Sequence, residues 1–341
     1  MGSEMCIRDR AFFSSPVDYD LLTEKENETS ESYVMWYLDE KSEDLNDHFY
    51  SVNNNANRMK MAVGFTKGIK ELIGVEMGSS VFVYNQNFDG FEKSFSDDRV
   101  TTMASIKYIG EHFYAVGAGR AVLRRSAPNS WTYISDSAYA KDLEQDSGRI
   151  HGGFKDIDGF NENDIYAVGG EGHVWHYDGE SWAAIDIPTN VGLHSVCCAD
   201  DGCVYIGGIH HTVLRGRNDH WKIISDGGTS GDTLKQILQY KGKVYTLDSW
   251  GNTLFEIGEK GMQPADMNGY QILPGGCLCM SEGDGVMIIA GEGSASIYDG
   301  KTWEALFEPA GYRKQVDDVN ALGGAVEKIG AAIDDIHDIL D

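Results

Sequence analysis

The residues best suited to chemistry are histidines. His173 and the pair His210-His211 each follow the same local pattern, a Tyr and a short run ending in Gly, as in Tyr166-Ala-Val-Gly-Gly170 and Tyr205-Ile-Gly-Gly208, and His151 lies upstream of the first. Imidazoles held together bind transition metals or move protons near neutral pH. No carboxylate or histidine spacing of a known metal motif accompanies them, so they read as turn residues. No metal and no cofactor is expected, and His173, His210 and His211 are the positions to inspect first. Asp226-Gly-Gly-Thr-Ser-Gly-Asp232 lacks the alternating ligands and closing Glu of an EF-hand and reads as a connection. Adjacent Cys197-Cys198 and the close Cys277 and Cys279 show neither the CxxC of a zinc site nor the spacing of a secreted disulfide framework. They read as small buried residues in a reducing compartment. Arg120, Arg124 and Arg125 cluster, and Arg215 and Arg217 occupy the matching place further on. In a chain of net charge -26 they are expected to pair with Asp and Glu. There is no GxSxG elbow, GxxxxGK[ST] loop or HExxH pair, and Gly117-x-Gly119 and Gly291-x-Gly293 sit in strand context. No catalytic residue is assigned, and the chain reads as a binding protein, not an enzyme.

What positions these residues is a repeat. Ile165-Tyr-Ala-Val-Gly-Gly runs on to Tyr177-Asp-Gly-Glu-Ser-Trp182, and Val286-Met-Ile-Ile-Ala-Gly runs on to Tyr298-Asp-Gly-Lys-Thr-Trp303. Both read as strand, Gly turn, strand, Asp-Gly turn, then a strand opened by Trp. Further copies end at Trp131 and Trp221, a degenerate one ends at Met262, and an earlier one ends at Phe91. The anchors Phe91, Trp131, Trp182, Trp221, Met262 and Trp303 are spaced by 40, 51, 39, 41 and 41 residues. The outlier implies an insertion, with a short helix expected over 137–146. An apolar strand precedes each copy: Met59–Phe65, Met103–Ile109, Phe154–Phe160, Leu193–Ala199, Leu234–Tyr240 and Cys277–Met280. Four strands per unit at this period is the pattern of an all-β propeller, here of about six blades with a seventh an open alternative. A single small twisted sheet cannot hide both faces, and the anchor aromatics are expected to fill the wedges between blades. Gly, at 41 residues, is about 12 % of the chain against a usual ~7 %, which suits short strands and tight turns.

The flanks differ from residues 58–307. Residues 11–57 carry a net charge of -9, an acidic run and one or two strands, Tyr33–Leu38 and His48–Val52, read as part of a seventh blade or as an added outer strand. Residues 308–341 carry -5 and form a linker and a helix. There Val316, Val319, Leu322, Val326, Ile329, Ile333, Ile336 and Leu340 make one apolar stripe. Asp317, Asp318, Asp334, Asp335 and Asp338 lie on its other side and are candidate partner-binding residues. Ser3-Glu-Met-Cys-Ile-Arg-Asp-Arg10 resembles a translated-adapter artefact of sequence assembly, so residues 1–10 are expected to be non-native and outside the fold. No run of about 20 apolar residues indicates a membrane span, and no signal peptide is visible. A cytoplasmic protein is expected. The acidic field disfavours nucleic acid and anionic membrane and speeds encounter with a basic partner.

Over residues 58–307 the units resemble bacterial propeller repeats of the BNR, or Asp-box, and kelch kinds. Gly169-Gly170 followed by Trp182 is similar to a kelch unit. Ser296-Ile-Tyr-Asp299-Gly300-Lys-Thr302-Trp303 is similar to an Asp box, except that Asp and Gly are adjacent where that motif separates them by one residue. The resemblance implies a propeller and leaves the activity open. Since Asp-box propellers include sialidases, a glycan-binding or glycan-cleaving protein is one reading, although no arginine sits in a recognisable sialidase context. A scaffold or assembly factor docking through the C-terminal helix is another. The favoured reading is a non-catalytic propeller whose acidic surface binds a basic protein, one form being an immunity protein that neutralises a bacterial toxin, as some propellers of this appearance do.

Overall fold

The computed structural model describes residues 4–7, 10–16, 33–39 and 49–52, and 59–307 apart from 76–79, 94, 96–101, 139–152, 228–231, 249–252, 271–276, 284 and 292–293. The expected insertion helix falls mainly on 139–152, and the expected C-terminal helix on 308–341. Both lie outside the described residues.

Six blades follow one another, each a four-stranded antiparallel meander with strands in sequence order. Their innermost strands are Lys60–Thr66, Met103–Ile109, Phe154–Asn161, Leu193–Cys198, Gln236–Tyr240 and Cys277–Gly283. Their outermost strands are Phe88–Glu92, Ser130–Tyr133, Trp182–Ile185, His220–Ser225, Gly261–Pro264 and Trp303–Phe307. The second strands read as unbroken apolar runs, Phe113-Tyr-Ala-Val116 and Ile165-Tyr-Ala-Val168, because a blade lies against each of their faces. The innermost strand of each blade packs beside that of the next.

A seventh four-stranded sheet comprises Glu4–Ile7, Arg10–Pro16, Tyr33–Asp39 and Phe49–Val52. Glu4–Ile7 lies between the innermost strands of blades 6 and 1. The N-terminal segment therefore holds more strand than the one or two pieces expected, and residues 4–7, expected outside the fold, form the inner strand of this sheet. The physical reason is closure: among the described residues, this sheet is the neighbour that the facing sides of blades 1 and 6 share.

Each wedge between consecutive blades holds one apolar cluster built from both. Ile73, Val83, Met103, Phe113 and Leu123 join blades 1 and 2. Ile109, Val122, Phe154 and Trp182 join blades 2 and 3. Corresponding clusters join 3 to 4, 4 to 5 and 5 to 6. Trp182, 3 % exposed, stacks on Tyr177 at 5.1 Å and meets Phe154 at 5.8 Å. Trp131 packs edge-on to Phe95, Trp221 edge-on to Tyr166, and Trp303 stacks on Tyr298 and Tyr270. Met262 borders the cluster between blades 4 and 5. Phe91 differs, being 38 % exposed with its ring edge-on to Phe82.

Close backbone approach explains a repeated glycine. A Cβ at Gly117 would lie 1.9 Å from the Thr102 carbonyl oxygen, and one at Gly169 2.2 Å from that of Gly153. No side chain fits at either place.

Neighbouring inner strands are not paired by a backbone ladder, so their polar groups need other partners. Side chains provide them. Asp156 of blade 3 accepts from Ser105 Oγ of blade 2 at 2.7 Å and from the Val196 N–H of blade 4 at 3.0 Å. Asp158 accepts from the Cys198 N–H at 2.8 Å. Ser195 Oγ donates to the Leu234 carbonyl at 2.8 Å, and the Gln236 amide bridges to both backbone groups of Met280.

One buried ion cluster ties blade 1 to blade 2. Arg125, with a fully buried side chain, donates to Glu92 through Nη2 at 2.6 Å and Nε at 3.2 Å. Through Nη1 it donates to Glu71 at 2.6 Å and Thr66 at 2.8 Å. Removing the guanidinium strands two carboxylates away from water. Arg125→Ala is therefore expected to destabilise the protein by about 3–5 kcal/mol, read as a lower midpoint in urea unfolding; a loss below about 1 kcal/mol would show that the cluster does not clamp the blades.

Candidate functional site

In a meander, the turns joining first to second and third to fourth strands lie on one rim, and those joining second to third strands lie on the other. The structure sorts the sequence candidates accordingly. His173 begins the third strand of blade 3, where burial and the Arg120 guanidinium lower its pKa below the ordinary 6.5. That guanidinium sits 5.2 Å from the Trp175 ring. His210 and His211 form the second-to-third turn of blade 4 with φ of 57° and 53°. His211 Nε2 lies 3.6 Å from Asp232 Oδ2, and its ring centroid lies 5.8 Å from that of Phe255. Asp248 completes the group, and the three ligand-type atoms fall within 4.8 Å of one another. His173 and His210 are not part of it, and His151 lies outside the described residues, as do Asp317, Asp318, Asp334, Asp335 and Asp338.

Asp232 and Asp248 were not picked out from sequence as partners of His211. A signal existed for Asp248. Gly117, Gly169 and Gly208 end the second strands of blades 2, 3 and 4, and in blade 5 the corresponding residue after Tyr245-Thr-Leu is Asp248. The repeat is broken where a carboxylate enters.

The second concentration of charge lines the axial channel, a cavity of about 290 Å³ bounded by the inner strands of all six blades. Lys60, Lys155, His194 and Lys235 stand where these strands begin. Lys155 and His194 are the residues at register shifts, between Phe154 and Asp156 and between Leu193 and Ser195. Such bulges re-aim a side chain. Burial, then the ammonium groups of Lys155 and Lys235, lower the His194 pKa. Deeper in, burial works against the charge of Lys107, but Asp158 and Asp156 outweigh it and raise the pKa above the ordinary lysine range. Burial raises Asp158 in turn, against the pull of Lys107.

The arginines are engaged by the protein itself. Arg125 holds Glu71 and Glu92, Arg215 holds Asp201 at 2.9 Å and donates to the Tyr205 hydroxyl, and Arg217 pairs with Asp164 over the Phe160 ring. Each of these three guanidinium groups is thus paired with a carboxylate of the protein. Burial pushes the Cys197 and Cys198 thiols well up, away from the thiolate that nucleophilic chemistry needs.

Exposed carboxylates collect on the rim opposite His211. Glu111, Asp178, Glu180, Asp200, Asp201 and Asp219 occupy the first-to-second and third-to-fourth turns of blades 2, 3 and 4. The Asp-Gly turns there are rigid: Asp178 Oδ1 accepts from the N–H groups of Glu180 and Ser181, with Gly179 at φ +98°. Asp299 repeats this with Lys301 and Thr302. These donors hold both carboxyls below the usual range.

Four-stranded meanders set around an axial channel define a β-propeller. Solved structures with this fold include the WD40 propeller domain of Doa1, at TM-score 0.58 and 10 % identity, covering 85 % of this chain and 89 % of that one. They also include the designed protein Ika8, at TM-score 0.55 and 9 % identity over 89 % and 85 %. YCF48 from Cyanidioschyzon merolae scores 0.51 at 15 % identity over 73 % and 85 %. No protein-family model matches the chain. A Pseudomonas aeruginosa protein named Immune protein Tsi7 is 35 % identical over 190 residues, which cover 56 % of this chain and 59 % of that protein. The BNR, Asp-box and kelch assignments remain resemblances at the level of motifs.

The channel cations make a direct forecast. Replacing Lys155 by Met removes one charge that depresses His194, so the imidazole pKa is expected to rise toward 6.5 in an NMR titration. An unchanged value would separate the two side chains.

Proposed function

We propose that this propeller is an immunity protein that binds a basic toxin through the acidic rim of blades 2–4, and that it acts in the cytoplasm without catalysis. The observation that carries the reading is the 35 % identity over 190 residues to a protein named Immune protein Tsi7. Three features support it. The chain has a net charge of -26, which favours fast encounter with a cationic surface. Glu111, Asp178, Glu180, Asp200 and Asp219 are exposed at turns on one rim, and the turn from Asp178 to Ser181 is held by two bonds to the Asp178 carboxylate. Cys197, Cys198, Cys203 and Cys279 are free thiols, which suits a reducing compartment. The acidic C-terminal residues from Asp317 to Asp338 extend the same field in sequence and are proposed as a second contact.

The test is neutralisation. Co-expression with a toxin found by pull-down on the protein is expected to rescue growth, and the purified pair is expected to associate more slowly as salt rises from about 50 to 500 mM. Reversing three rim charges together, Glu111→Lys, Glu180→Lys and Asp219→Lys, is expected to lower the association rate about tenfold or more with the fold intact by circular dichroism. A propeller that fails to protect against that toxin would end the immunity reading. Protection with an association rate indifferent to salt and to the reversals would keep immunity and remove the acidic rim.

A further inference from the structure

We propose that His211, Asp232 and Asp248 bind a first-row divalent transition ion, zinc(II) or manganese(II), which fastens blade 4 to blade 5. The three ligands come from separate elements. His211 is on the turn between Val204–Gly208 and Val213–Arg217, Asp232 leads into Gln236–Tyr240, and Asp248 follows Lys243–Leu247. Their donor atoms nevertheless lie within 4.8 Å of one another. Metal–ligand bonds of about 2.1 Å place tetrahedral ligand atoms about 3.4 Å apart and trans octahedral ones about 4.2 Å apart. The 3.6 Å between His211 Nε2 and Asp232 Oδ2 falls in that range and is too long for a hydrogen bond.

The imidazole is prepared for such a ligand. His211 Nε2 is shielded from solvent and makes no hydrogen bond. The backbone that delivers it is unusual, with two consecutive non-glycine residues in the left-handed region. That backbone is tied to the segment carrying Asp232. Ile209 bridges Thr233, Leu234 N–H donates to the Gly208 carbonyl at 3.0 Å, and Gly227 N–H donates to the His210 carbonyl at 3.0 Å. Asp248 is 7 % exposed and stands where blades 2, 3 and 4 have glycine. One imidazole with two carboxylates suits zinc(II) or manganese(II) better than calcium or magnesium, which prefer all-oxygen sites. With three protein ligands, further coordination positions stay open to water or to a group on a partner.

Full-length protein stripped with a chelator is to be dialysed against zinc chloride, manganese chloride or calcium chloride. Zinc or manganese is expected to bind at about one ion per chain, with calcium weaker, and to raise the melting temperature. Asp232→Asn, a near-isosteric change at a position whose side chain is 30 % exposed, is expected to weaken binding about tenfold or more, as is His211→Ala, while His173→Ala leaves it unchanged. Manganese is also expected to broaden the Phe255 ring resonances, whose centroid lies 5.8 Å from that of His211. If His211→Ala does not fold, Asp232→Asn decides. Folded wild-type protein that binds neither zinc nor manganese, or an ion whose affinity ignores Asp232→Asn, would overturn the site and leave a plain His–Asp ion pair.

Discussion

Each small sheet in this protein has two apolar faces and no way to cover either by itself. Blade 3 shows the constraint. Tyr166 and Val168 point toward blade 4, while Ile165, Ala167 and Trp182 belong to the cluster shared with blade 2. Neither face has a place in water, so the sheet is stable only between neighbours. The ring follows from repeating that requirement until it closes, and the N-terminal sheet between blades 6 and 1 meets it at the last gap.

Closure creates a second, polar requirement along the axis. Inner strands lie side by side without a shared ladder, and a buried N–H left alone is costly. The carboxylates of Asp156 and Asp158 take the N–H groups of Val196 and Cys198, and Ser195 and Gln236 serve the next two junctions. Charges inside the protein are therefore used structurally, as Arg125 also shows. What remains for a partner is the outer surface, and there the two rims differ. Carboxylates dominate the turns of blades 2–4 on one rim, while Lys155, His194 and Lys235 gather at the channel end nearer the other.

The blades were legible in the sequence because their determinants are local. Tyr-Ala-Val-Gly, Asp-Gly and Trp recur at fixed offsets, and each encodes a strand, a turn or a wedge filler without reference to distant residues. Phe91 was read by position as a filler, yet its ring lies at the surface, since spacing does not report how a wedge is filled. The N-terminal sheet was under-read because its acidic run hides the strand pattern and Glu4–Ile7 finds its neighbours at the far end of the chain. The candidate site was half legible. His211 stood out by type, but its partners arrive from Asp232 and Asp248, and only the fold brings them together. His173, on the equivalent turn of the neighbouring blade, is not among the residues whose ligand atoms meet there.

Asp248 in the place of a glycine carries a broader lesson about such rings. A blade touches only the blades beside it, so a departure from the shared pattern strains one seam and leaves the others as they were. The architecture can thus store a different instruction at each junction: an arginine between two glutamates at the first, carboxylate-to-backbone bonds at the third, a histidine with two aspartates at the fourth. Regular shape and irregular content coexist, and individuality in a repeating molecule resides in its seams.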